Sequence, residues 1–294
     1  MAQRCEGMNK IHGHPCLGGD RKRNGRIHLP VAPRCNIKCR YCTRRHDCVN
    51  ESRPGVTSRL MTPDDALGKV RQIMASPVLG PVIKVVGIAG PGDPLANEET
   101  FETLRLVGKE FPQMVKCLST NGLLLPDTIT YLHQLGLDSL TVTVNCLDPA
   151  VGAWIYSWFD YGDRRYSGVE GATLLIRNQL AGIELAAGFG VIVKVNTVFI
   201  PGINEVEIER IAHVVRERGA SIMNIMPLIP QAEFAGIIAP SNERVEAVRR
   251  VNQEIIDQFR HCRHCRADAV GLIGSDEQLE SRPVQIKQYK SGLM

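Results

Sequence analysis

The sequence predicts an α/β fold in which six βα units curl into a TIM-like barrel or part-barrel, and three observations carry that expectation. From residue 26 onward, apolar runs of strand length alternate with segments of helical period. The runs are rich in Val, Ile and Leu and short in charge, as strands buried in a parallel sheet are. The length, 294 residues, suits a single barrel as well as two ordinary domains. "RIHLPVAP" at 26–33 is the first strand, and a helix should start at Thr62 with Pro63 behind it. "VIKVVGIAG" at 82–90 is the second strand, with Asn97 ahead of Glu98 and Glu99 marking the next helix start. "MVKCLST" at 114–120, "LDSLTVTVN" at 137–145 and "GVIVKVNTVF" at 190–199 follow as strands three to five. Asn204 with Glu207 three residues on reads as a capping box, and "IMNIMPLIP" at 222–230 is the sixth strand. Parallel strands joined by right-handed crossovers place their following loops on one face, where the sites of such folds gather. Polar, Gly- or Arg-rich segments flank the repeat. The expected division is therefore an N-terminal extension at 1–25, a barrel at 26–258 and a C-terminal tail at 259–294.

Composition narrows the setting. Hydrophobic content of 44% and charged content of 22% are ordinary for a soluble protein, and no apolar run approaches the roughly 20 residues of a membrane span. The start, "MAQRCEGMNKIHGHPC", has no stretch that could serve as the core of a signal peptide. A cytoplasmic location with reduced thiols is expected, and no membrane partner. The net charge of +4 is modest, and the basic residues of "RRH" and "RHCRHCR" sit among cysteines instead of forming a stripe, so no nucleic-acid partner is expected.

The chemistry is concentrated in cysteine. "CNIKCRYC" at 35–42 sets Cys35, Cys39 and Cys42 directly after the first strand. A zinc site draws four ligands, normally as two close pairs, and no such second pair follows nearby. Three thiolates can hold three irons of a cubane 4Fe-4S cluster and leave the fourth open to a small molecule. The pattern C-x-x-x-C-x-x-C, with Tyr41 before the last cysteine, resembles the signature of the radical S-adenosylmethionine (SAM) enzymes, whose open iron chelates the methionine amine and carboxylate. The resemblance implies a partial (βα)6 TIM-like barrel with N- and C-terminal extensions covering the barrel mouth, and SAM as cofactor. "GIAGPGDP" at 87–94, with Gly90, Gly92 and Asp93, resembles the family's Gly-rich segment that pairs with the methionine amine; read alone it is a tight strand-to-helix turn. Ser119 and Asn121 in "STNG", and Asn196 with Thr197, are placed to hydrogen-bond a ribose or carboxylate, or equally to serve as turn and cap residues.

Of the ten cysteines, Cys16, Cys48, Cys117, Cys262 and Cys265 sit where further iron–sulfur clusters could be held, while Cys5 and Cys146 look unattached. His14, His28 and His46 are available beside them. "HCRHCR" also reads as half a zinc site. Two fully ligated cubanes need eight protein ligands, and five thiols with one imidazole give fewer. Such clusters would be under-ligated and more readily altered or released, as a substrate should be.

Longer stretches narrow the resemblance. "HPC", "HLPVAPRCNIKCRYCTRRHDCVNESRPGVTS", "GIAGPGDPLAN", "LSTNGLLLP", "VKVNTVFIPGINE", "NIMPLIP" and "HCRHCRADAVGLIG" together resemble the nitrogenase-cofactor maturases within the radical SAM family. That resemblance implies fusion of two 4Fe-4S clusters into an eight-iron, carbide-centred precursor of the nitrogenase cofactor, by methyl transfer from SAM and then hydrogen abstraction by a 5'-deoxyadenosyl radical. It implies Cys35, Cys39 and Cys42 as ligands of the SAM cluster, and Cys16, Cys48, Cys117, Cys262 and Cys265 as ligands of the two substrate clusters. One histidine ligand is also implied, with His28 favoured over His14. Glu51 would orient a cluster or relay a proton, its other reading being a loop salt bridge. Iron–sulfur cluster donor proteins and a carrier or scaffold accepting the product are the implied partners, the more so because the cofactor-carrier domain of some relatives is not expected here. The rival expectations are a radical SAM enzyme whose auxiliary clusters bind a peptide or small organic substrate, and a non-catalytic iron–sulfur carrier.

Overall fold

The computed structural model describes residues 14–17, 19–43, 47–50, 57, 59–262 and 265–276. Six strands pair in parallel in the order of the chain: β1 (Gly25–His28), β3 (Ile83–Ile88), β4 (Val115–Thr120), β5 (Ser139–Thr143), β8 (Ile192–Phe199) and β9 (Ile222–Pro227). Each predicted apolar run supplies one of them. The first is shorter than its run because Pro30 and Pro33 carry no N–H for the ladder. Helices α1 (Pro63–Met74), α2 (Glu98–Glu110), α3 (Leu125–Gln134), α4 (Pro149–Ile155), α5 (Gly168–Gly188), α6 (Ile208–Glu217) and α7 (Asn242–Gln253) connect the strands. Their buried faces follow the helical period, as with Ala66, Val70 and Ile73 of α1. They pack on the outward strand residues Ile27, Val86, Leu118, Leu140 and Val193, which form one contiguous core. Among the described residues no helix is long and apolar enough to cross a membrane.

Two features were not foreseen. A hairpin, β6 (Tyr156–Tyr161) and β7 (Arg164–Tyr166), pairs antiparallel with β2 (Ile37–Cys39) to make a second, three-stranded sheet. The chain after α7 also enters the main sheet. β10 (Asp257–Gln258) lies parallel to β9, while β11 (Val270–Leu272) pairs antiparallel with β1, Arg26 opposite Gly271 and Ile27 opposite Val270. β12 (Ser275–Asp276) completes the order β10-β9-β8-β5-β4-β3-β1-β11-β12.

The helix starts divide. Thr62 forms a reciprocal capping box, its hydroxyl accepting from the Asp65 amide at 3.2 Å while Asp65 accepts from the Thr62 amide at 3.3 Å. Asn97 does precede α2, but its side chain makes no cap and instead bonds backbone groups of Arg34 and Asp93. The capping box expected at Asn204 and Glu207 is absent. Asn204 is fully buried and donates to the carbonyls of Asn145 and Val198, and Glu207 accepts from the Asp148 amide at 2.8 Å, so both join neighbouring strand-end loops.

Candidate functional site

The cysteine loop is braced from three sides. Ile37, Lys38 and Cys39 pair with Phe159, Trp158 and Tyr156 of the hairpin, and the Asp160 amide donates to the Asn36 carbonyl at 2.7 Å. Arg40 ion-pairs with Glu233, whose own amide donates to the Arg40 carbonyl. Tyr41 is buried, with its hydroxyl bonded to Asn50 at 2.8 Å and to Asn145 at 2.7 Å. Cys35, Cys39 and Cys42 form no disulfide, with Cys39 buried and the others half-buried. Three thiols on one short loop braced by backbone bonds form a donor set that fits a three-thiolate 4Fe-4S cluster with one open iron.

The Gly-rich segment runs alongside this loop. The Gly92 amide donates to the Ala32 carbonyl at 2.6 Å and the Asp93 amide to the Arg34 carbonyl at 2.8 Å. A Cβ on Gly92 would stand 2.1 Å from the Arg34 carbonyl oxygen, so any side chain here would push the cysteine loop away. Gly90 takes φ +137°, which also favours glycine. The Asp93 carboxylate accepts from the Thr120 hydroxyl at 2.9 Å and from the Asn121 amide at 2.6 Å, which ties the end of β3 to the end of β4. Asn121 in turn donates to Asn36 at 2.7 Å and lies 4.0 Å from Cys35 Sγ. Gly92, Asp93 and Asn121 thus surround the cysteine loop.

Below them the barrel interior is polar. TIM-type barrels usually fill this space with aliphatic side chains. Here the inward phase of the strands presents Arg26 and His28 from β1, Cys117 and Ser119 from β4, Lys194 and Asn196 from β8, and Asn224 from β9. The two extensions add His14 and Cys16 from one side and His261, Cys262 and Cys265 from the other, around a pocket of about 770 Å³ that includes the solvent at its opening. Among the described residues, no three His, Cys, Asp or Glu side chains close on one point as around a single ion. A cubane takes its thiolates one to each iron.

Strand register explains how the inner candidates meet. His28 lies opposite Gly87, and Gly87 opposite Cys117. A Cβ on Gly87 would fall 2.9 Å from His28 Cδ2, so the missing side chain makes room for the imidazole. His28 Nδ1 lies 3.0 Å from the Arg266 carbonyl. A carbonyl only accepts, so Nδ1 carries the proton and Nε2 keeps its lone pair, as in most metal-ligating histidines. His14 has the opposite tautomer, because its Nδ1 accepts from the Cys16 amide at 3.0 Å. Arg26, 1% exposed, holds the tail: it donates to the carbonyls of Gly271 and Leu272 and to Cys265 Sγ at 3.0 Å.

The electrostatics reflect burial. Desolvation is the largest influence on the Cys16 thiol, which is pushed up to about 12; Cys265 and Cys117 raise it further while Lys194 and Arg26 pull it down. Desolvation likewise leads in depressing His14 to about 3, with Lys194 and His28 adding to it. Both stay neutral at pH 7, so a metal taking the Cys16 sulfur must displace its proton.

Not every candidate reaches this pocket. Cys48 stands instead near Tyr41 and Tyr156, on the side of the cysteine loop. Glu51, His46 and Cys5 lie outside the described residues. Cys146 is buried away from the pocket beside Glu207 and Asp148, burial pushing its thiol well up. Sequence reading missed Arg26, Lys194, Asn224 and His261. For the strand residues a signal existed: "RIH", "KVN" and "CLS" each place polar or thiol side chains two apart within an apolar run, which is the period of one strand face.

A parallel part-barrel with three thiols after its first strand is the architecture of one enzyme class, and the comparisons agree. The model of the radical SAM superfamily matches residues 29–215. The chain belongs to that superfamily and is a radical SAM enzyme; membership brings a 4Fe-4S cluster and SAM as cofactors. Within it, the chain is 46% identical over 276 residues to the FeMo cofactor biosynthesis protein NifB of Klebsiella pneumoniae, covering 91% of this chain and 58% of that one. NifB of Chlorobaculum tepidum is 44% identical, covering 97% and 66%. The chain thus spans about half to two thirds of the length of its curated relatives, 54% for NifB of Azotobacter vinelandii. The resemblance read from the motifs is borne out. Among solved structures, Streptococcus suis SuiB bound to S-adenosylmethionine superposes with a TM-score of 0.55 at 14% identity, covering 79% of this chain and 49% of SuiB. SuiB bound to its precursor peptide SuiA gives 0.56 at 12% identity, covering 86% and 51%. These likenesses bear out the fold.

Proposed function

We propose that this protein is a maturase of nitrogenase-cofactor biosynthesis that fuses two 4Fe-4S clusters into an eight-iron, carbide-centred precursor, with methyl transfer from SAM followed by hydrogen abstraction. The single observation that carries the reading is the pocket itself: Cys16, His28, Cys117, Cys262 and Cys265, drawn from four distant segments, line one cavity inside a radical SAM barrel. A barrel that holds no cluster beyond that of the three-cysteine loop has no need of four thiols and an imidazole in its interior.

When bound at Cys35, Cys39 and Cys42, the cluster and its SAM supply a transferable methyl group and, by reductive cleavage, a 5'-deoxyadenosyl radical. The chain's own residues do the rest. Gly90 and Gly92 keep the strand end against the cysteine loop, where backbone groups can meet the methionine amine, and Asp93 fixes that shape through Thr120 and Asn121. Ser119 and Asn196, at the wall of the pocket, are the hydrogen-bonding candidates for ribose or carboxylate. His28 presents Nε2 to an iron of a substrate cluster, and Cys16, Cys117, Cys262 and Cys265 present sulfur. Arg26, donating to Cys265 Sγ, offsets thiolate charge in a site shielded from water. Cys48 and Glu51 would complete the set from the side of the cysteine loop. Cluster donor proteins and an accepting carrier in a reducing cytoplasm follow from chemistry that consumes clusters and yields a larger one.

The test is the nucleoside profile after SAM and dithionite are added to anaerobically reconstituted protein. Both S-adenosylhomocysteine and 5'-deoxyadenosine are expected. 5'-Deoxyadenosine alone would redirect the search to an organic substrate, and neither product would point to a carrier.

A further inference from the structure

We propose that His14 binds the substrate cluster of the barrel pocket as a hydrogen-bond donor, its Nε2–H directed at a cluster sulfur, and that it is not an iron ligand. The inference rests on the reading of the pocket as the seat of an iron–sulfur substrate. His14, Pro15, Cys16 and Leu17 form one tight turn, closed by the Leu17 amide on the His14 carbonyl at 3.0 Å, with proline at the position whose fixed φ suits it. Inside that turn the Cys16 amide donates to His14 Nδ1 at 3.0 Å. A backbone amide can only donate, so the lone pair of Nδ1 is engaged and the proton of the neutral ring sits on Nε2.

That proton meets no acceptor among the described residues. The ring is 3% exposed, and Nε2 is buried with no hydrogen-bond partner among the described residues. The same ring lines the pocket beside Cys16, His28, Cys117 and Cys265. A buried N–H without an acceptor is costly, so the pocket's occupant should supply one. The sulfides and thiolates of an iron–sulfur cluster are anionic acceptors; an apolar group is not. Ligation of iron through Nε2 would need the proton moved to Nδ1, where it would oppose the N–H of Cys16. His28 differs on this very point, since its Nδ1 faces a carbonyl. The "HPC" triplet therefore delivers one thiol ligand and one N–H donor as a single unit. Hydrogen bonds to cluster sulfur raise the reduction potential and fix which sulfur faces the protein.

The experiment compares wild type, His14→Leu and His14→Gln, each reconstituted anaerobically as the full chain, by iron content, by EPR-monitored redox titration and by pulsed EPR for histidine nitrogen. His14→Leu should keep the wild-type iron content and the histidine-nitrogen coupling, while the potential of the pocket cluster shifts to more negative values. His14→Gln, which restores an N–H donor, should return it toward wild type. Unchanged potentials in both variants, or loss of the nitrogen coupling in His14→Leu, would overturn the proposal. Wild-type protein holding no iron beyond the share of the three-cysteine loop would remove the pocket reading itself, and this inference with it.

Discussion

The cysteine loop and the barrel pocket use the same donor atom under opposite conditions. Cys35, Cys39 and Cys42 come from eight consecutive residues, and their loop is held by backbone bonds to the hairpin and the Gly-rich segment and by the buried Tyr41 hydroxyl. The pocket takes Cys16 from one extension, His28 and Cys117 from separate strands, and Cys262 and Cys265 from the tail. A short loop that is already held needs little ordering to receive a cluster, whereas donor side chains spread over most of the chain converge only after barrel and tail have docked. The first arrangement suits a cofactor that stays. The second suits the cargo of the proposed function, which enters, is altered and leaves.

The sharpest way to break this comparison is to remove one ligand from each site. Cys39→Ala should abolish 5'-deoxyadenosine formation, a loss beyond the roughly 10–100-fold typical of outer-shell changes, while the pocket retains its iron. Cys117→Ala should do the reverse, lowering total iron while SAM cleavage continues. If both activities fell together in Cys117→Ala, the two sites would not be separable. Iron analysis with product quantification reads both variants.

A smaller effect is expected at Gly87. Gly87→Ala puts a Cβ 2.9 Å from the His28 ring, so the imidazole must shift; pocket iron should drop, and the cluster-free protein should lose about 1–3 kcal/mol in urea unfolding from overpacking. Wild-type iron content in that variant would remove His28 from the ligand set. Limited proteolysis sharpens the contrast further: reconstitution should protect the segment carrying Cys262 and Cys265 and that carrying Cys16, and leave the cysteine loop little changed. Equal cleavage with and without clusters would argue against coupling between tail order and metal. The smallest effect belongs to Thr62→Ala, which deletes the capping box and should cost about 0.5–2 kcal/mol with no change in either site.

What the sequence reveals follows the same division. The six parallel strands, the start of α1 at Thr62 and the three-cysteine loop are written in contiguous residues, so periodicity and spacing expose them. The hairpin was hidden because β6 buries only Tyr156 and Phe159, three apart, and its pairing with β2 shifts register between Lys38 and Cys39, so no clean alternation shows. β11 was hidden because its three residues become a strand only by meeting β1. Asn97, Asn204 and Glu207 look like caps in one dimension and are braces between loops in three. The pocket was half legible. Its thiols could be counted, but Lys194 and Arg26 were masked by the apolar runs around them, where only the two-residue period marks them as inward.

The pairing of β11 with β1 has a consequence for the life of the protein outside catalysis. Without the tail, β1 would end the sheet with open N–H and C=O groups, a template for joining another chain. With it, the boundary among the described residues passes to β12, two residues long, which is the short kind of edge that resists such joining. The Arg26 guanidinium holds β11 through one terminal nitrogen and Cys265 through the other. A chain cut before β11 would therefore be exposed to aggregation, and truncation ahead of Val270 should lower solubility during expression.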